Sequence, residues 1–309
     1  MEQVEHCRPG HQDGLSDQPE AVPASVFPPL PGEVVPGTHS AFPQVHRPIL
    51  MRTKGLVILT ILVLFAGTAG TQTKANGIVD HPCAAEPTVK QAGGWGPRQV
   101  WLYAHDFGQL CYYREKNAAL GPHVPRVIFM GDSITEIWQE KDPRFFAPGR
   151  IDRGISGQTT PQMLVRFRQD VIDLHPAVVH IMAGTNDIAG NTDASTLDTV
   201  EGNLASMADL ARAHGIHVIL ASVLPTDRFP WQPDIDPAPV IVRLNSWIKR
   251  YAAQNGFTYV DYFDAMATRS GAMKPGLSSD GVHPTARGFA IMDPLARAAI
   301  RTALKRQGY

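Results

Sequence analysis

A short apolar run, Val127-Ile128-Phe129-Met130, stops at Gly131-Asp132-Ser133. A continuous apolar stretch of this length, closed by glycine, reads as a strand buried on both faces, the mark of a parallel sheet. Parallel strands need crossover connections, and open sheets built this way place their chemistry at the strands' carboxyl ends. A hydroxyl follows this strand at that end.

The rest of the chain repeats the pattern. Strand periods at about 126–130, 150–153, 177–182, 217–222 and 258–261 alternate with helical periods at about 134–139, 160–174, 197–214, 240–254 and 286–305. Thr160-Pro161 offers a cap and a first-turn proline for the second of those helices. Such alternation predicts an α/β fold, a three-layer αβα sandwich around a five-stranded parallel sheet. Ahead of it, residues 76–96 read as an extended Gly/Pro-rich arm. Residues 97–120 read as one helix, with Val100, Trp101, Tyr103, Ala104, Phe107, Leu110 and Cys111 near a 3.6 period.

The N-terminal quarter is different. Residues 1–50 hold nine prolines and four glycines without a hydrophobic period, a composition expected to stay disordered. Met51-Arg52-Thr53-Lys54 then precedes an apolar run at 56–66 interrupted by Thr60, with small residues following. Basic start, short apolar run and small residues resemble a secretory signal peptide, the run being shorter than the roughly 20 residues a spanning helix needs. The expectation is that Met51 is the native start and that the protein is secreted or periplasmic. The alternative is an uncleaved anchor holding an exported domain. From residue 76 onward 234 residues remain, enough for one domain with its own core.

Of three cysteines, Cys83 and Cys111 belong to the exported part. They form an even pair open to two readings, one disulfide or two free thiols. No Cys/His spacing points to zinc, and no cofactor is expected. A net charge of −1 gives no reason to expect nucleic acid or an anionic membrane as partner.

Ser133 reads two ways. Ser133-x-x-Glu136 has the form of a capping box, while Gly131 permits the tight turn that would expose a nucleophile. Asp280-Gly281-Val282-His283-Pro284 shifts the balance. Pro284 biases His283 away from helix, leaving acid and imidazole together on a loop. There Asp280 can hold one ring nitrogen while the other serves Ser133 as base. Gly157 and the Asn186 side chain follow two other strands and could join the Ser133 N–H as three donors around one oxyanion. His180 falls inside a strand and reads as a satisfied core residue. His175, His214 and His217 flank elements and read as surface groups.

Gly131-Asp132-Ser133, Gly157, Gly184-Thr185-Asn186-Asp187 and Asp280-x-x-His283 resemble, in order, the four blocks of the SGNH (GDSL-type) hydrolase family. The similarity covers roughly residues 124–303. Its wider wording looks most like the platelet-activating-factor acetylhydrolase-like branch. The resemblance implies a flavodoxin-like fold, a Ser133–His283–Asp280 triad, and an oxyanion hole of Ser133, Gly157 and Asn186. Asp152 departs from the asparagine many relatives carry, and the helical arm is absent from the minimal family domain.

The expected activity is therefore metal-free hydrolysis of a small-molecule or carbohydrate ester with a short acyl group, acetyl included. Asp132 and Asp187 are expected to brace loops. A lysophospholipase or lipase-type acyl hydrolase is the alternative within the family. Two readings lie outside it. One is a phosphoesterase with a metal among Asp132, Asp187, Asp280 and His283, and the other is a non-catalytic glycan-binding domain. Phe229-Pro230-Trp231 reads equally as a pocket wall or as a plug under a loop.

Overall fold

Five strands pair in the order β2-β1-β3-β4-β5, all parallel. They are β1 (Val127–Gly131), β2 (Arg150–Gly154), β3 (Val178–Met182), β4 (His217–Ala221) and β5 (Thr258–Val260). This is the flavodoxin-like order, whose switch of winding direction falls between β1 and β3. The computed structural model describes Cys83 and residues 85–93, 95–121, 126–146 and 149–306. All fall in the unit Lys74–Tyr309. The Pro-rich stretch 1–50 and the signal-like segment 51–75 lie outside the described residues. Among the described residues, no helix is long and apolar enough to cross a membrane.

Alternate side chains of each strand enter opposite cores, as the pleat dictates. Ile128, Met130, Val179, Ile181, Val218 and Leu220 pack beneath α4 (Thr160–Asp170), α6 (Leu197–Ala213) and α7 (Ala238–Asn255). Val127, Phe129, Val178, Met182 and Ile219 face α3 (Ser133–Lys141), α8 (Tyr262–Met266) and α9 (Ala286–Arg306). On that second face, Phe129 meets Trp138, Phe145 and Phe146 edge-on at 5.2–5.7 Å between ring centres. The result is the three-layer sandwich expected from the alternating pattern.

Two local expectations need correction. The arm is not one helix but two, α1 (Trp95–His105) and α2 (Arg114–Ala119). Between them the Asp106 carboxylate accepts the N–H groups of Leu110 and Cys111, and Gln109 takes a left-handed φ of 52°. Cys111 is bonded there to Cys83. The apolar period that suggested continuity is partly exposed, with Val100 at 67%. Second, Thr159 rather than Thr160 caps α4, in a capping box with Gln162. That helix ends at Asp170, and a 3-10 turn covers Ile172–Leu174. Two short helices not expected from the sequence, α5 (Thr185–Ile188) and α8, are too short to show a helical period.

The arm is anchored on β2. Tyr113 donates its hydroxyl to the Gly154 carbonyl at 2.5 Å and reaches Asp152 Oδ2 at 3.2 Å. Asp152 Oδ1 accepts the Gly154 N–H at 2.8 Å, so this carboxyl supports the turn out of β2. Burial pushes Asp152 up to about 7, against the lowering effect of those hydrogen bonds. Its folded value thus lies above the ordinary carboxyl value. The stability it contributes is fully present below about pH 4 and is lost as pH rises through 7. Asp152→Asn should flatten that loss. The expected result is a melting temperature like the parent's at pH 4 but several degrees higher at pH 8.5, for a gain of about 1–2 kcal/mol there.

Candidate active site

β1 delivers Ser133 to the start of α3 across the single residue Asp132. Asp132 Oδ1 accepts the Ile134 N–H at 2.9 Å and is the cap of α3, so Ser133 is the first helical residue. The capping-box reading of Ser133 is therefore not what forms. Burial pushes the Asp132 carboxyl up to about 6, against that hydrogen bond. Gly154, at the end of β2, is needed here because a Cβ would lie 2.4 Å from the Glu136 nitrogen and 2.7 Å from the Asp132 carbonyl oxygen. The β2 loop can thus rest directly on the first turn of α3.

Ser133 Oγ lies 2.9 Å from His283 Nε2, across 150 residues of sequence. His283 Nδ1 lies 2.6 Å from Asp280 Oδ2. The other oxygen, Asp280 Oδ1, accepts the N–H groups of Val282 and His283 and the Ser278 hydroxyl at 2.8–2.9 Å. Burial opposes the charge on Asp280. The hydrogen bonds from the His283 ring, the His283 N–H and the Val282 N–H outweigh it and hold the carboxyl well below its ordinary value. Asp280 is thus ionised at any neutral pH, with one oxygen on the backbone and the other on the imidazole.

Gly157 and Asn186 reach the same rim. Gly157 takes φ +80°, a region glycine enters at no steric cost. Its N–H makes no backbone hydrogen bond among the described residues. Asn186, on α5, donates one Nδ2 proton to the Gln158 carbonyl at 3.0 Å, leaving the second free. Its Oδ1 accepts from Asn191 Nδ2 at 2.8 Å. Asn191 in turn takes the Trp231 indole N–H on its Oδ1 at 3.1 Å and the Tyr103 hydroxyl on its carbonyl at 2.8 Å. One asparagine that no sequence signal marks therefore joins the arm, the rim and the segment around residue 231.

A cleft of about 450 Å³ opens over these groups. Ser133, Gly157, Asn186 and His283 line it, with Gln99, Trp231 and Gln232 around them. None of its lining residues is Asp, Glu, Lys or Arg. Phe229-Pro230-Trp231 divides between the two readings left open by the sequence. Phe229 is fully buried against Ala189 and Val282, whereas Trp231 is 41% exposed, its ring centre 6.3 Å from that of His283.

The remaining acids and histidines lie elsewhere. Asp187 accepts the Thr160 N–H at 3.0 Å and its hydroxyl at 2.6 Å, holding the start of α4. Asp132 and Asp187 are thus occupied by helix N-termini, and only Asp280 and His283 meet. Among the described residues, no three His, Cys, Asp or Glu side chains gather as metal ligands. His180 is buried, with Nε2 3.0 Å from the Tyr262 hydroxyl but Nδ1 unpartnered, so it is only half satisfied. Burial lowers it to about 3. His175 and His214 are exposed, and His217 is half-buried beside the Thr258 hydroxyl.

Known proteins share this arrangement of strands and loops. The family model described as GDSL-like Lipase/Acylhydrolase matches residues 129–291, a span that includes every rim residue named above. A GDSL-like lipase from Bacteroides thetaiotaomicron is 48% identical with a TM-score of 0.63, over 64% of this chain and 100% of that one. A candidate acylhydrolase from Bacteroides fragilis is 46% identical with a TM-score of 0.62, over 64% of this chain and 99% of that one. The uncharacterized lipoprotein YqeF of Bacillus subtilis is 37% identical over 78 residues. That match spans 24% of this chain and only 32% of the relative's length. These likenesses reach the family and do not single out its platelet-activating-factor acetylhydrolase-like branch.

Proposed function

The chain belongs to the GDSL-like lipase/acylhydrolase family, whose members hydrolyse esters, and from that premise we propose a serine esterase in which Ser133 is the nucleophile, His283 the base and Asp280 its orienting acid. The observation that carries this reading is the pair of contacts at His283, 2.9 Å to Ser133 Oγ and 2.6 Å to Asp280 Oδ2. Asp280 keeps the proton on Nδ1, so Nε2 offers its lone pair to the serine. As Oγ attacks the ester carbonyl, Nε2 takes its proton. The charge that develops on the carbonyl oxygen is met by the N–H groups of Ser133 and Gly157 and the free Nδ2 proton of Asn186. Nε2 then returns the proton to the leaving alcohol, and water releases the acyl group by the same route.

The cleft supports a short acyl group and a neutral, hydroxyl-bearing alcohol. Its volume is modest, its lining holds no side chain of fixed charge, and Gln99, Gln232 and the Trp231 indole offer carboxamides and an aromatic face. Acetylated sugars fit that chemistry. A second cavity of about 480 Å³ shares Gly190 and Gln232 with the cleft and has an aliphatic part, Ile188, Leu197, Val200, Ile235 and Val240, beside the charged Asp187 and Arg243. It favours the lipase-type alternative, in which a longer acyl chain passes that shared wall. The site is also read as exported. The signal-like segment, the Cys83–Cys111 bond and the lipoprotein relative support an exported or membrane-associated protein.

Ser133→Ala should lower p-nitrophenyl acetate turnover by several orders of magnitude, as loss of a triad nucleophile does elsewhere, and should abolish fluorophosphonate labelling. EDTA should leave the parent activity untouched. A parent protein inert to both reagents, or activity surviving in Ser133→Ala, would contradict the proposal. Hydrolysis of esters graded from acetyl to palmitoyl separates the two acyl readings, with a maximum at C2–C4 expected. Asn191→Ala releases Asn186 from its orienting bond and should lower kcat about tenfold, a fraction of the 10²–10³ that loss of a whole oxyanion donor costs.

A further inference from the structure

Glu136 stands three residues after Ser133 but does not cap the helix. Its side chain turns to the loop after β2, where Oε2 accepts both the Ser156 N–H at 2.9 Å and the Ser156 hydroxyl at 2.5 Å. Oε1 accepts the Tyr112 hydroxyl from the arm. One carboxylate therefore holds a single residue at two points and receives a third donor from behind.

The residue it holds precedes Gly157. The peptide between Ser156 and Gly157 carries the N–H assigned above to the oxyanion, and glycine gives that peptide little intrinsic restraint. The turn is tied on its Gln158 side, where the Gln158 carbonyl accepts from Asn186 at 3.0 Å and its side chain from Arg166 at 2.6 Å, whereas the bonds that span Gly157 itself are long, Gln158 N–H to the Ile155 carbonyl at 3.3 Å and Asn191 Nδ2 to the Gly157 carbonyl at 3.4 Å. The bonds to Glu136, at 2.9 and 2.5 Å, act on Ser156 itself and meet on one carboxyl oxygen. They clamp the backbone N–H and the hydroxyl of Ser156 together, which restrains the residue whose carbonyl carbon bears the Gly157 nitrogen, and both residues line the cleft. Glu136 itself does not line that cleft. It lines a separate cavity of about 380 Å³ on the far side of Ser156, with Tyr112, Gln109 and Ile155.

We propose that Glu136 is the positioning residue of the oxyanion hole, fixing the Gly157 N–H through Ser156 and tying it to the arm through Tyr112. The proposal rests on the serine-esterase reading and adds to it a residue that never touches substrate. A clamp of this kind acts on the transition state, where the oxyanion exists, and not on ground-state binding.

The test measures kcat and KM for p-nitrophenyl acetate, the affinity for a trifluoromethyl ketone that becomes an oxyanion on the enzyme, and the melting temperature. Glu136→Ala should lower kcat about 10–100-fold with KM within about twofold, and weaken the ketone by a similar factor. Glu136→Gln should recover kcat to within about fivefold of the parent, since its carbonyl oxygen still accepts from Ser156 while its amide donates to Tyr112. Ser156→Ala keeps the N–H bond and should lose several-fold, which provides a second arm if Glu136→Ala does not fold. Unchanged kcat and ketone affinity in a folded Glu136→Ala, or in Ser156→Ala, overturns the proposal. Ser133→Ala, run in parallel, separates the two levels. If it is inert while Glu136→Ala is fully active, the clamp alone falls. If Ser133→Ala stays active, the esterase reading falls and takes the clamp with it.

Discussion

Everything at the rim depends on the register of three neighbouring strands. Gly131 of β1 sits opposite Gly154 of β2 on one side and Met182 of β3 on the other. Three strands thus leave the sheet at one level, and the segments that follow them carry Ser133, Gly157 and Asn186. Slipping any strand by one residue would turn its side chains to the opposite core and move its loop off the rim. The buried alternation of Val127, Ile128, Phe129 and Met130 between the two cores makes that slip costly, so the hydrophobic effect acting on the sheet places the polar groups at its end.

A buried polar network under the rim holds the loops once the strands have ended. Arg166, with no exposed side-chain surface, donates to Asp170 at 3.1 Å, to the Gly131 carbonyl at 3.1 Å and to Gln158 Oε1 at 2.6 Å. Gln158 in turn accepts from Asn186 on its carbonyl, and Asp170 accepts from Asn117 of the arm at 2.7 Å. Ion pairs this deep add little net stability when complete, but removing one partner costs about 3–5 kcal/mol. The guanidinium therefore acts as a spacer of fixed geometry between β1 and the Gly157 loop. Through Asn117, Tyr113 and Tyr112 the arm, which lies outside the residues matched by the family model, joins the same construction.

The central strands β1 and β3 were legible because burial on both faces writes a simple signal, a short apolar run closed by or near a glycine, and the alternation with helical periods located the weaker edge strand β2. Each strand lies within a residue or two of its expected position, and the long helices α6, α7 and α9 follow from their 3.6 period. The arm was misread because a disulfide and the Asp106 side chain break what local period suggested was continuous. Tertiary bonds of that kind leave no local trace. At the site, Ser133, Asp280 and His283 stood out because each falls in a short motif with a chemical reason for its spacing. Asn191 and Glu136 did not. Asn191 has no motif, and Glu136 imitates a capping box whose place Asp132 takes. Residues that orient others through space are invisible until the fold assembles them.

The proposed reaction turns on where the carbonyl oxygen of the ester would sit with Ser133 as nucleophile. A crystal structure of the protein treated with a fluorophosphonate answers this most directly, since the adduct holds a tetrahedral centre with an oxygen in the oxyanion position. The expected electron density shows phosphorus bonded to Ser133 Oγ, with its unesterified oxygen roughly 2.7–3.1 Å from the Ser133 and Gly157 nitrogens and from Asn186 Nδ2. Phosphorus on another residue, or that oxygen turned toward solvent with the three donors empty, would contradict it.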